Sequence, residues 1–268
     1  MASMANWEYL NRLSGAPSDI VNPNGLAFIV CTALPFLYGL STLGLVNRLA
    51  FVIFSPICIY VLILTGSRTG FLGLIIIFIV ILIKSNKRIF LCSAGLILVI
   101  VGFPLLDEDT QDRYLSIFGM GEKNQATAEG RSEGVTKNFL VALRRPIFGH
   151  GLGTSREVNA NFAQNDQPAH NLYAEVAQEL GFLGLVIVLL FIKSNFSTLA
   201  QCRQFLLEEK PNQLLLSMND AVQVWLWLNL IFSFASYGLT SYEWYLLAGF
   251  AVVLQRLAKE SSMFERGG

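Results

Sequence analysis

Residues 71–83 read FLGLIIIFIVILI, thirteen positions without one polar side chain. The stretch has company: apolar runs recur at 26–40, 49–64, 89–106, 180–192, 221–239 and 244–257. Most approach the roughly 20 residues that an α-helix needs to cross a bilayer core, and their flanks make up the shortfall. Lipid offers the backbone no hydrogen-bond partner, so only helices and closed barrels cross it. The strict alternation of a barrel strand is absent here. The expected fold is therefore all-α: a polytopic membrane helical bundle of about seven transmembrane helices, plus an outer loop carrying a short amphipathic helix. Composition agrees, with 53% of the 268 residues hydrophobic and 14% charged, against about 25% charged in a soluble domain.

The formal net charge is zero, which removes the case for a nucleic-acid partner. Cys31, Cys58 and Cys92 sit inside apolar runs and Cys202 in a short polar stretch; they show neither metal-site spacing nor a disulfide pattern. They read as small apolar side chains, and no metal or cofactor is expected. The first 24 residues, with NWEYLNRLSGAPSDIVNPN, lack the basic flank and apolar core of a signal peptide.

Positive charge sets the orientation. Arg48, then Lys84, Lys87 and Arg88, then Lys193, Arg203 and Lys210, then Arg256, Lys259 and Arg266 fall on one side if seven helices alternate. The positive-inside rule makes that side cytoplasmic. One membrane domain over 1–268 results, with transmembrane helices 1–4 in 25–106, a large outer loop at 107–172 and helices 5–7 in 173–258. An outside N-terminus without a signal peptide suggests that longer relatives carry additional N-terminal helices.

Three features meet on the outer side. In TGSRTGF, 65–71, Arg68 lies in a tight turn between two apolar runs; an arginine at that depth faces a polar cavity or anchors at the interface. In GRSEGVTKNFLVALRRPIFGHGLG, 130–153, apolar positions 135, 139, 140, 142 and 143 fit a helix that Pro146 stops. Arg131 is expected at its start, where a cation is disfavoured, and Arg144 and Arg145 at its end, where they suit the helix dipole. Gly149, Gly151 and Gly153 then make a flexible turn, read first as structural and second as a phosphate cradle. In QPAHNLYAEVAQELGFLG, 167–184, taking 170–190 as one helix puts Ala174, Ala177, Gly181 and Gly184 within about 40° of His170. Such a small-residue stripe lets another helix approach, so His170 is expected to face the bundle; a helix cap is the plainer alternative. Asn171 and Tyr173 add polar groups at the rim.

The acidic residues divide. Asp107, Glu108, Asp109 and Asp112 read as a solvated loop start ahead of a metal set. Glu179, nearly opposite His170 on the helix, reads as helix packing. Glu243 in SYEWY, 241–245, is placed to orient an arginine or the histidine, beside aromatics that suit an interface belt.

Arginines and one histidine thus gather on one face of the membrane. A guanidinium fork suits phosphate oxygens, and a neutral imidazole suits general-base work. In order, SRTGFLGL, an arginine opening a helix, RRPIFGHGLG and AHNLYAEVAQELGFLGL resemble the O-antigen ligase and polymerase family, the bacterial membrane glycosyltransferases with a Wzy-type C-terminal region. NPNGLA at 22–27 is similar to that family's entry to an earlier helix, so the resemblance covers about 22–258. One departure is that Phe139 comes later than the aromatic usual after the helix-opening arginine. The resemblance implies inverting, metal-independent transfer of a glycan on the periplasmic face of the inner membrane. The donor is a lipid-linked oligosaccharide on undecaprenyl pyrophosphate. The acceptor is a sugar hydroxyl, on lipid A core for a ligase or on a growing glycan for a polymerase; a protein acceptor is a further option. By motif, Arg68 and Arg131 hold the pyrophosphate with Arg145 beside them, and His170 takes the acceptor proton. Gly149, Gly151, Asn171, Tyr173 and Glu243 support them. Two alternatives stay open: a membrane transporter of a small anion or polysaccharide precursor, and a non-catalytic truncated membrane partner.

Overall fold

The computed structural model describes residues 12–15, 21–84, 88–121, 125–163, 167–208, 212–235, 238–239 and 241–266. Lys87, Lys210 and residues 1–11 and 16–20 of the polar opening stretch lie outside them. The elements are α1 Pro23–Ser41, α2 Leu45–Thr65, α3 Arg68–Lys84, α4 Arg88–Gly102, α5 Glu108–Leu115, α6 Gln125–Ala142, α7 Ser155–Phe162, α8 Leu172–Glu208, α9 Gln213–Phe232 and α10 Glu243–Arg266, with 3₁₀ turns at Phe103–Leu105 and Ser116–Phe118. No β-strand forms among the described residues. The protein is an all-α membrane bundle.

Each of the seven apolar runs lies wholly or mostly in a helix, with 221–239 running on past the end of α9. Four of these helices, α1, α2, α8 and α9, are long and apolar enough to cross a membrane alone, and shorter apolar helices occupy 68–83 and 95–105. In α10, Glu243 and Arg256 leave twelve uncharged residues between them, about 18 Å of helix against a core of about 30 Å. Lipid exposure shows in α2, where only Leu62 and Thr65 of 21 residues are buried. A helix apolar all round with most of its surface uncovered belongs in hydrocarbon.

Within 107–172 the described residues form α5, α6 and α7. Asp107 caps α5, its carboxylate accepting from Thr110 N at 2.9 Å, while Glu108 and Asp109 sit in the first turn, where negative charge is favoured. The four acids are thus the start of a helix. α6 begins ten residues ahead of Val135, so Arg131 is the seventh of its 18 residues and not at its start; this corrects the expectation from apolar periodicity.

Two compact units form, Met1–Leu34 with Val52–Glu129, and Pro35–Phe51 with Gly130–Gly268. In the first, α1 meets α3 closely: a Cβ on Gly70 would sit 2.8 Å from Ala27 Cβ, and the Cys31 thiol donates to Gly70 O at 3.5 Å. In the second, α8, α9 and α10 form an antiparallel three-helix core. Trp244, Leu247, Ala251, Leu254 and Ala258 bury one face of α10, with Leu199, Cys202, Val222, Leu226 and Phe232 also buried. Arg203 and Asp220 pair at 3.1 Å near one end, where Thr42 Oγ1 also lies 3.3 Å from Ser217 Oγ. At the other end the start of α8 caps α9: Leu172 N donates to Ser233 O at 2.9 Å and Asn171 Nδ2 to Phe234 O at 3.1 Å.

Candidate functional site

In the first unit the NPNG and TGSRTG motifs assemble around one turn. Gly66 takes a left-handed φ of 52°, which glycine adopts without a Cβ penalty. The carbonyl before it, Thr65 O, accepts from Arg12 Nε at 2.6 Å. Asn24 Oδ1 accepts from Arg12 Nη2 at 3.1 Å and from the Ser67 hydroxyl at 2.9 Å. Ser67 caps α3 through Gly70 N at 3.2 Å. Arg113 closes the other flank: its Cδ lies 3.5 Å, and Arg12 Nε 3.6 Å, from where a Cβ on Gly66 would stand. Arg68 is the first residue of α3, its Nη1 donating to Ser116 Oγ at 3.1 Å.

Three arginines therefore surround residues 65–68, and sequence reasoning found only Arg68. Beneath them Tyr114 is buried and stacked on Phe71 at 4.8 Å. Its hydroxyl has no partner among the described residues. Burial pushes this phenol up to about 12, against the pull of the Arg12 guanidinium.

In the second unit the glycine turn is docked. Gly181 has φ 71° and ψ −174°, inside what looks by hydrogen bonding like one long helix. In an unbroken helix Phe182 N would donate to Gln178 O. Here it donates to Pro146 O at 2.7 Å, while His150 N and Gly151 N donate to Gln178 O and Glu179 O at 3.0 and 2.9 Å. The carboxylate of Glu179, 2% exposed, accepts from Gly153 N at 2.8 Å and Ser155 N at 3.1 Å. The second contact lies in the first turn of α7. Only glycines fit: a Cβ on Gly149 would stand 2.3 Å from Glu179 O, and one on Gly181 2.3 Å from Ile147 O.

Three expectations change with this. The turn is not flexible, because the break supplies partners for its amides. Residues 170–190 are not one helix. Glu179 staples the turn and does more than pack.

Asn159 ties the neighbourhood together, donating to Gln167 O at 2.9 Å and accepting from Gln178 Nε2 at 2.7 Å. Asn171 is the N-cap of α8, accepting from Ala174 N at 3.0 Å, and Tyr173 Oη donates to Leu230 O at 3.4 Å. Because Asn171 takes the cap, His170 precedes the helix and is exposed. The expectation that it faces the bundle is corrected. The small-residue stripe itself, Ala174, Ala177, Gly181 and Gly184, is buried. Arg144 lies over the Phe162 ring at 4.6 Å, and Arg145 is exposed. Glu243 is buried and accepts from the Ser241 hydroxyl, in place of the arginine or histidine expected. Glu175, also buried, accepts from Leu239 N at 2.5 Å. Among the described residues no three His, Cys, Asp or Glu side chains gather as a metal-ion set.

Residues 49–189 match the O-antigen ligase family, a span that holds Arg68, Arg131, the glycine turn, His170 and the break at Gly181. The chain is 25% identical over 199 residues to an O-antigen polymerase of Salmonella muenchen, a match covering 71% of this chain and 48% of that protein. It spans about half the length of this curated relative. With the family match extending over more than half of its residues, the chain belongs to the O-antigen ligase family.

Proposed function

We propose that the chain is a membrane glycosyltransferase that moves a glycan from undecaprenyl pyrophosphate to a sugar hydroxyl on the periplasmic face, with inversion and without a metal ion. The observation that carries this reading is the gathering of Arg12, Arg68 and Arg113 about the Gly66 turn. A leaving pyrophosphate gains charge as the glycosidic bond breaks. Guanidiniums set in place beforehand stabilise that charge where it develops. By motif, Arg131 and Arg145 are proposed as further donor-binding residues. His170, exposed ahead of α8, takes the proton of the acceptor hydroxyl as it attacks the anomeric carbon. Gly149, Gly151, Asn171, Tyr173 and Glu243 hold the surrounding backbone. The single-domain division into 25–106, 107–172 and 173–258, with 107–172 outside, belongs to the same proposal.

Arg68→Ala is expected to slow transfer by about 10²–10³, and His170→Ala by about 10²–10⁴, with membrane insertion unchanged. Full transfer in either variant counts against the assignment. A deletion strain separates the acceptors. Loss of polysaccharide from lipid A core with long lipid-linked chains accumulating means a ligase. Attachment of one repeat unit means a polymerase.

A further inference from the structure

His150 is the other of the chain's two histidines, and the reaction as proposed does not use it. Its ring is held on two sides. Nδ1 lies 3.0 Å from Gln178 O, and the ring centre lies 6.0 Å from that of Phe162, tilted at 47°. A carbonyl oxygen only accepts, so in the neutral ring Nδ1 carries the proton and the lone pair stays on Nε2. The break at Gly181 sets this tautomer by turning Phe182 N away from Gln178 O and towards Pro146 O. The carbonyl does not need the imidazole for its own sake, since the His150 amide already serves it at 3.0 Å.

The free end of this ring stands in distinctive company. His150 is half-buried, Phe162 is 46% exposed and Arg144 is exposed. No protein group takes Nε2 among the described residues. A hydroxyl acceptor and a guanidinium donor on either side of a half-open aromatic ring match a sugar: apolar C–H edges for the ring, hydroxyls for the two polar groups.

We propose that His150 Nε2 accepts a hydrogen bond from a glycan hydroxyl, with Phe162 and Arg144 completing a sugar subsite on the docked glycine turn. This rests on the glycosyl-transfer reading and adds recognition of the sugar, which the pyrophosphate arginines and His170 do not provide.

Asparagine and glutamine separate the two ring nitrogens. His150→Asn keeps a donor near Nδ1 and removes the distant acceptor; His150→Gln carries an amide out to the position of Nε2. The asparagine variant is expected to insert and to keep the turn's amide protection, yet to lose about tenfold in kcat/KM for transfer, chiefly through KM. The glutamine variant recovers part of that loss. Wild-type kcat/KM in His150→Asn overturns the proposal, because a purely structural histidine predicts that result.

A second arm reads binding without transfer. In a His170→Gln background His150 is the sole imidazole, and diethyl pyrocarbonate acylates its unprotonated nitrogen, read by mass spectrometry. Delipidated lipopolysaccharide, which carries sugars without the lipid, is expected to slow this modification, and undecaprenyl pyrophosphate is not. Equal rates with and without the glycan, or a ring that never reacts, overturn the subsite. Glycan protection alongside absent transfer in the wild-type chain overturns the transfer reading alone.

Discussion

Gly181→Ala tests the docked turn directly. The φ of 71° with ψ −174° is a conformation that only glycine visits freely, and forcing a side chain into it costs about 1–3 kcal/mol. Space is refused as well: the new Cβ would lie 2.3 Å from Ile147 O, 2.5 Å from Ile147 C and 2.8 Å from Gly149 N. These are backbone atoms that cannot swing aside, so the turn must lift off α8. Lifting it off forfeits the bonds of Phe182, His150 and Gly151 across the break, each about 0.5–1.5 kcal/mol. Combining the strain with partial loss of these bonds gives about 3–5 kcal/mol, confined to the turn. At about 1.4 kcal/mol per tenfold change, amide exchange at 149–155 should accelerate by about two to three and a half orders of magnitude. Hydrogen–deuterium exchange in nanodiscs reads this, with the α9 and α10 amides as the internal standard. Gly134→Ala is the control: nothing lies within 4 Å of its Cβ position, and alanine in a helix gains about 0.5–1 kcal/mol. Wild-type protection of 149–155 in Gly181→Ala would refute the claim that the break and the turn hold each other.

Glu179→Gln keeps an acceptor but loses the charge behind two amide bonds, and should loosen α7 by about 2 kcal/mol in the same exchange measurement. Arg113→Ala is expected to cost about 10² in transfer, the loss seen when a donor is removed from an oxyanion site, with no loss of membrane insertion; unchanged transfer removes Arg113 from the proposed site. For orientation, cysteine at Leu152, 69% exposed, should react with an impermeant maleimide on intact spheroplasts, whereas cysteine at Glu208 should react only after lysis. The opposite pattern reverses the assignment of the outer face.

The sequence reading located the helices because hydrocarbon leaves a membrane span few choices: a long apolar run must be a helix. It lost α7 and the first half of α6 because neither SREVNANF nor QATAEGRSEG carries an apolar period. α7 is held by Glu179, which lies 24 residues beyond Ser155, and that pairing leaves no local trace. Arg131 was misplaced for the same reason, since periodicity starts at Val135 while the helix starts at Gln125. Arg12 and Arg113 reach the Gly66 turn by long-range packing that no spacing encodes. His170 was within reach: Asn171, three residues before Ala174, is a plain N-cap choice, and it moves the histidine out of the helix. The small-residue stripe was legible as a close-packed face, but the positive φ of Gly181 was not, because the partner turn imposes it.

Carbonyls released by a break in an apolar helix have no water to turn to, so the partner that satisfies them becomes part of the span. By this logic the P-x-x-G-x-G turn and the G-x-x-G of α8 are one structural element contributed by two stretches of chain. Gly149→Ala should then resemble Gly181→Ala, because its Cβ would strike Glu179 C and O at 2.3 Å from the other side. Once either substitution has lifted the turn, the second has nothing left to displace. The double variant should therefore lose no more protection at 150–155, and no more transfer, than the worse single one, a non-additivity expected of residues sharing one contact. Losses that add in the double variant would mean that the two glycines serve separate features, and the single-element account would fail.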